Sequence, residues 1–487
     1  MLFLFYNING GAQRFLCNKQ MAFSKFLESR KADCKALVES LRKHFDYVSI
    51  LGEDVKSSTV RADRFTSNVG DGNDTNCGFV VKMTKGNSFF EYSLDDVAGD
   101  TDAITDKILK KIEIDDSLNG KMINSRPISD EPLVKSFERE NDFDKYSDKY
   151  LLDYCVDLSN KISAKSDKIL NQIVMIRTLE VHKLFVSQNR MLDQNYTWVN
   201  GYTIVTYRDN GKMVSAREDA NAHLIGTVLD ALPKNIDKLV HKADKLTTAN
   251  PIIPGVYDVI TDPSITGLIA HEAFGHGVEM DMFVKDRALS KKYFGDYVAS
   301  PICNMRDGAA STLSVASYFF DDDGVLAHDT QIIKDGILVA GISDLISANE
   351  LGTEPTGNGR RESHKRKAYS RMTNTFFEKG TDSLEDMIAS IKHGYMIFET
   401  NNGMEDPKNW AIQCVAEYGI EIVDGKLTDN YVSPVVISGY VPDLLKSISM
   451  ISGDFEVSGS GMCGKGHKEW VRVSDGGPAL KVRVKLG

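Results

Sequence analysis

The hexapeptide His271-Glu272-Ala-Phe-Gly-His276 restricts this chain more than any other stretch, because two imidazoles and a carboxylate must share one or two turns of backbone. Two neutral imidazoles can hold a first-row divalent ion, and an adjacent carboxylate that is not a ligand can take a proton from water. On a regular α-helix, side chains four apart sit about 40° around the axis, whereas five apart are spread by about 140°. Both histidines reach one ion only if the backbone leaves α geometry between them. Gly275 and Gly277 would permit this, as a bulge or an early helix end. The other arrangement that the spacing allows uses Glu272 and His276 as ligands. The two-histidine arrangement is favoured.

The flanks predict a helix. Asp262 can cap, Pro263 suits a first turn, and the apolar run Ile265 to Ala270 leads directly into His271. A strand over Val256 to Ile260 precedes it. Far along the chain, Ser458-Gly-Ser-Gly-Met-Cys463-Gly-Lys-Gly-His467 sets a cysteine among glycines, as on a tight turn. A thiolate there would complete a His/His/Cys site, with Lys465 and His467 nearby to favour it. The other six cysteines are scattered without a framework spacing and read as reduced, mostly buried thiols.

The length of 487 residues predicts two or three domains, and a formal charge of −11 argues against an electrostatic nucleic-acid binder. No run approaches the roughly 18 apolar residues of a membrane span. Met1 to Tyr6 is too short for a signal core, so residues 1–21 read as a tail and the expected location is cytoplasmic.

Residues 22–148 predict a small domain. It comprises a helix over 22–45, short strands at Tyr47 to Leu51, Ser58 to Arg64, Gly78 to Met83 and Ser88 to Leu94, and a helix from Asp102 to Ile112. The charged stretch 114–148 predicts a linker or solvated helical arm. Strands within 173–214 and a helical stretch over 219–243, broken at Pro233, follow. A further strand is expected at Ser314 to Phe319, with a turn at Asp321 to Gly324. The fold class is α+β: a small N-terminal α/β domain, then a large C-terminal domain over 149–487 of mostly antiparallel sheet carrying the metal-site helix.

Several linked stretches resemble the TldD/PmbA family of modulator peptidases. They are Gly267 to Asp281, Thr356-Gly-Asn-Gly-Arg360-Arg-Glu-Ser363, Arg371-Met-Thr-Asn-Thr375, Met462 to Gly466, and Arg61-Ala-Asp-Arg64 in the N-terminal segment. The resemblance covers roughly residues 30–487. It implies a two-domain metallopeptidase in which His271, His276 and Cys463 bind one divalent metal ion, zinc or iron, and Glu272 is the catalytic general base. It also implies hydrolysis of unfolded or flexible peptides through a metal-activated water. The partner would be a second copy or a TldE/PmbA-like subunit, with no nucleic acid and no membrane. The chain departs from the family pattern at Phe274, Met280, His467-Lys468 and Met404 to Trp410. Arg360 and Arg371, in a basic run of an acidic protein, are expected to contact substrate. Glu279 and Asp281 could act behind the histidine rings. The competing expectation is a non-catalytic peptide-binding or assembly subunit with a vestigial metal site.

Overall fold

The structure is a computed structural model that describes residues 22–114, 119–467 and 469–487, so the expected tail lies outside the described residues. Ser24 caps the first helix, Lys25–Leu41, by accepting from the Leu27 amide. Its apolar stripe of Leu27, Cys34, Leu37 and Leu41 packs on Val48, Ile50, Phe79 and Val81 of the sheet beneath.

The two short strands expected over 47–64 are one strand, Tyr47–Asp63. Polar residues in its middle do not interrupt it because partners meet them: buried Glu53 accepts from Asn76 and lies near Lys183. This strand is the spine of a nine-stranded sheet. It pairs antiparallel with Asn76–Lys85 on one side and with Ile169–Ser187 on the other. The sheet, and the core containing Leu184 and Val186, therefore run across the boundary expected at 148/149. A continuous ladder of backbone hydrogen bonds joins the two expected units there.

The stretch expected as a linker is also absorbed. Leu133–Glu138 adds to the sheet parallel to Arg190–Asn195. As a largely exposed edge strand it requires few apolar residues, which is why composition did not reveal it. The helix Asp148–Ser163 follows and buries Leu151, Cys155, Leu158 and Ile162 on the sheet. The expected strand Ser314 to Phe319 is irregular instead. Local hydroxyls replace the ladder: the Ser314 amide donates to Ser317 Oγ, and that hydroxyl donates to the Thr312 carbonyl.

Two further sheets, of seven and six strands, form the C-terminal part. Gly255–Thr261 lies parallel to His393–Asp406 and antiparallel to Leu480–Leu486 in the first. Glu456–Lys465 and Glu469–Gly477 form one edge of the second. The metal-site helix is wedged between them: Ile265, Ile269, Ala273 and Phe274 share one core with Ile397, Ile412, Cys463 and Val473. No helix among the described residues is long and apolar enough to cross a membrane.

Candidate metal centre

Asp262 opens the metal-site helix by accepting from the Ile265 amide at 2.8 Å, with Pro263 in the first turn. The backbone is α-helical over Pro263–Leu268 and becomes π-helical over Ile269–Gly275, before a 3₁₀ turn at His276–Val278. A π turn bonds residue i to i+5, so residues five apart come to lie over one another. The ring centroids of His271 and His276 are 5.1 Å apart and the rings nearly perpendicular. The irregularity expected from the spacing is this π segment. Gly275 serves it by close packing: its φ is −60°, and a Cβ there would run into Met372 Sδ.

Cys463 arrives on a strand, Glu456–Lys465, opposite Val471, and the chain turns only at Gly466. The tight glycine turn expected around the cysteine is thus displaced by a few residues. Its side chain is buried, with Sγ 3.6 Å from His276 Nε2. The ligand atoms of His271, His276 and Cys463 all lie within 4.8 Å of one another.

Other residues hold these three in place. His276 Nδ1 meets Glu279 Oε2 at 3.1 Å, which turns Nε2 toward the sulfur. Lys465 Nζ donates to Glu279 Oε2 at 2.9 Å, to Asp281 Oδ1 at 2.7 Å and to the Ser370 carbonyl at 2.9 Å. Lys465 is therefore committed to carboxylates and not, as expected, to the thiol. Burial alone would lower His271, but the Cys463 sulfur outweighs it and raises the ring to about 9, and His276 moves the same way. Burial would likewise raise the Cys463 thiol, yet the two imidazoles hold it well below its ordinary value. A thiolate facing two imidazoles is the donor set that zinc and other soft-tolerant divalent ions favour. The buried Nδ1 of His271 has no hydrogen-bond partner and lies toward an acid, Asp475, at 3.9 Å. These residues fit a metal ion.

Glu272 stands on the same turn, half-buried, beneath the strand His393–Asp406: a Cβ built at Gly403 would lie 2.5 Å from its Cγ. Glu272 and the three donor residues line a cavity of about 1630 Å³. Two further acids at the centre had no spacing signal in the sequence. Both oxygens of Glu405 are buried without a partner, and burial pushes its carboxyl well above the usual range. Asp475 lies 3.9 Å from His271 Nδ1, and burial raises it to about 6.

The two arginines expected to contact substrate do other work. Arg371 is fully buried and donates to the carbonyls of Cys463 and Glu469, bracing the cysteine strand from behind. Arg360 donates to the carbonyls of Met372 and Arg472. Neither lines the cavity. Carbonyl oxygens of neighbouring segments take up both guanidinium groups, and the basic composition of the run gave no sign of that.

Residues 254–485 match the PmbA/TldA metallopeptidase C-terminal domain. A metalloprotease of Synechocystis sp. is 31% identical over 331 residues, covering 68% of this chain and 71% of that protein. A zinc metalloprotease TldD homolog of Saccharolobus solfataricus is 34% identical over 237 residues, covering 48% and 52% respectively. Among solved structures, TldE from Thermococcus kodakarensis superposes with a TM-score of 0.74 at 18% identity, covering 93% of this chain and all of that one. That last likeness concerns the fold alone.

Proposed function

The chain belongs to the PmbA/TldD metallopeptidase family, and we propose that it is a catalytic member, hydrolysing unfolded or flexible peptides with Glu272 as general base. The observation that carries this reading is the meeting of three donors within 4.8 Å, although Cys463 stands 187 residues beyond His276. A general base on the same turn favours it over the non-catalytic alternative, since a purely structural site has no use for one.

His271, His276 and Cys463 would hold one divalent ion, with zinc the first candidate and iron the second. When bound, such an ion supplies Lewis acidity, polarising the scissile carbonyl and lowering the pKa of water from about 15.7 to around 7. The remaining work falls to the chain. Glu279 orients the His276 ring through Nδ1, and Lys465 holds Glu279 in turn. Glu272 accepts a proton from the attacking water on a carboxylate oxygen and passes it to the leaving amine nitrogen. The cavity exceeds the roughly 300–1,000 Å³ of ordinary small-molecule sites, which suits an extended peptide segment. Pairing with a second copy or with a TldE/PmbA-like subunit, in the cytoplasm, belongs to the same proposal.

A peptide-library digest with and without chelator tests this. Cleavage should vanish with chelator and in Glu272→Gln, while that variant keeps its metal. Equal cleavage by the variant and the natural protein would overturn the assignment.

A further inference from the structure

His271 has an acid on either side. Glu272 follows it in the helix, and Asp475, from the strand Glu469–Gly477, brings Oδ2 to 3.9 Å from its Nδ1. That distance is too long for a hydrogen bond. The Asp475 side chain keeps 21% of its surface exposed and lines the cavity. Among the described residues it has no hydrogen-bond partner and no ion pair other than that ring. Its place is set by close packing, because a Cβ on Gly267 would lie 2.7 Å from Asp475 Oδ1.

Three cations close to the centre are already committed, while Arg177 and Arg287 line the same cavity with no ion pair among the described residues. Lys465 serves Glu279 and Asp281, Arg472 serves Asp74 and Asn200, and Arg371 serves two carbonyls. A divalent ion held by two neutral imidazoles and the Cys463 thiolate would carry one net positive charge. Glu272 and Asp475 together exceed it by one. Beside the centre that excess leaves a place for a cation on the incoming ligand.

Resting on the peptidase reading above, we propose that Asp475 is a specificity residue that receives a primary ammonium group of the substrate, from a free peptide N-terminus or a lysine side chain near the scissile bond. A compact ammonium needs only one accessible carboxylate oxygen. A guanidinium fork needs both in an open plane. Here Oδ1 packs against Gly267 and Oδ2 lies toward His271, while neither oxygen is fully buried, so each stays open to a single donor and not to a fork spanning both.

The test is binding to full-length, zinc-loaded protein carrying Glu272→Gln, so that nothing is turned over. Two pairs of pentapeptides serve as probes: one with a free or acetylated N-terminus, the other acetylated throughout with a central lysine or norleucine. In at least one pair the ammonium peptide should bind about tenfold tighter, the order of one charge-assisted contact. The preferred pair identifies the source of the ammonium. Adding Asp475→Asn should bring that ratio close to one with zinc content retained. Two results overturn the proposal: no preference in either pair, or a preference that survives Asp475→Asn. Loss of zinc with equal weakening of all four peptides also overturns it, since Asp475 would then be positioning His271. The readout needs no turnover, so a protein that prefers ammonium peptides yet cleaves none would sink the peptidase reading and leave this one standing.

Discussion

Replacing Gly403 by alanine would move Glu272 without altering it. Gly403 lies on His393–Asp406 directly over that side chain, where a Cβ would sit 2.5 Å from Glu272 Cγ and 2.9 Å from Leu268 Cδ1. Ordinary carbon–carbon contact begins near ~3.5 Å, so the glutamate must retreat by about 1 Å. Both obstructing atoms belong to side chains and the Gly403 φ is negative, so the backbone can accept alanine. The overpacking cost should stay near the low end of about 1–3 kcal/mol. Catalysis is far less tolerant, since a misplacement of about 1 Å can cost roughly 100-fold. The expected variant is folded, melts a few degrees lower, holds its full complement of metal, and has kcat reduced by about two orders of magnitude. Steady-state kinetics on one cleavable peptide, with metal analysis and a melting curve, measure all three. A variant that keeps kcat within about threefold of the natural protein would refute the role given to Glu272, because a base in contact with its substrate water cannot absorb that displacement.

Lys465→Met leaves the buried carboxylates of Glu279 and Asp281 without their shared ammonium. Breaking such a buried pair costs roughly 3–5 kcal/mol, and loss of the Glu279–His276 alignment should weaken metal binding about 10–100-fold. Unchanged melting and unchanged metal affinity would contradict both. The Glu91 carboxyl, which burial would raise, is instead held at about 2 by Arg361 and Lys82. Its folded value lies below the ordinary 4.5, so its stabilisation is complete above pH 4.5 and is lost as pH falls toward 2. Urea midpoints measured at pH 7 and pH 3 should therefore differ less in Glu91→Gln than in the natural protein, and an equal difference in both would disprove it. Stripping metal with a chelator should lower the melting temperature reversibly, by the equivalent of about 2.7 kcal/mol for an ion at 100 times its Kd. In His271→Ala the chelator should have no effect, and a persistent shift would place the stabilising ion elsewhere.

The start of the metal-site helix was legible because its signals are local. Asp262 and Pro263 act within one turn, and the apolar run after them requires burial wherever it lands. The need for a departure from α geometry between His271 and His276 could also be read, since it follows from angles around an axis. Its form could not. The π turn packs at Gly275 against Met372, which arrives from the segment just before the strand Asn374–Phe377, a contact across 97 positions. The charged stretch around Leu133–Glu138 misled for a related reason: an edge strand needs a neighbour's open hydrogen bonds more than it needs apolar side chains. Arg371 shows the same limit, because nothing in a basic run says that one guanidinium will be buried under Cys463.

The sequence by itself therefore determined the chemistry on offer: two imidazoles, a thiol and a carboxylate, with a capped helix to carry three of them. Those properties belong to side chains and to a few neighbouring torsions. Tertiary structure alone decided which groups converge. It brought Cys463 to the histidines, tied Lys465 to Glu279 and Asp281, and set Asp475 on the cavity wall 3.9 Å from the His271 ring. Each of those meetings is made by strand pairing and packing between distant segments, and so is written in no single stretch of the chain.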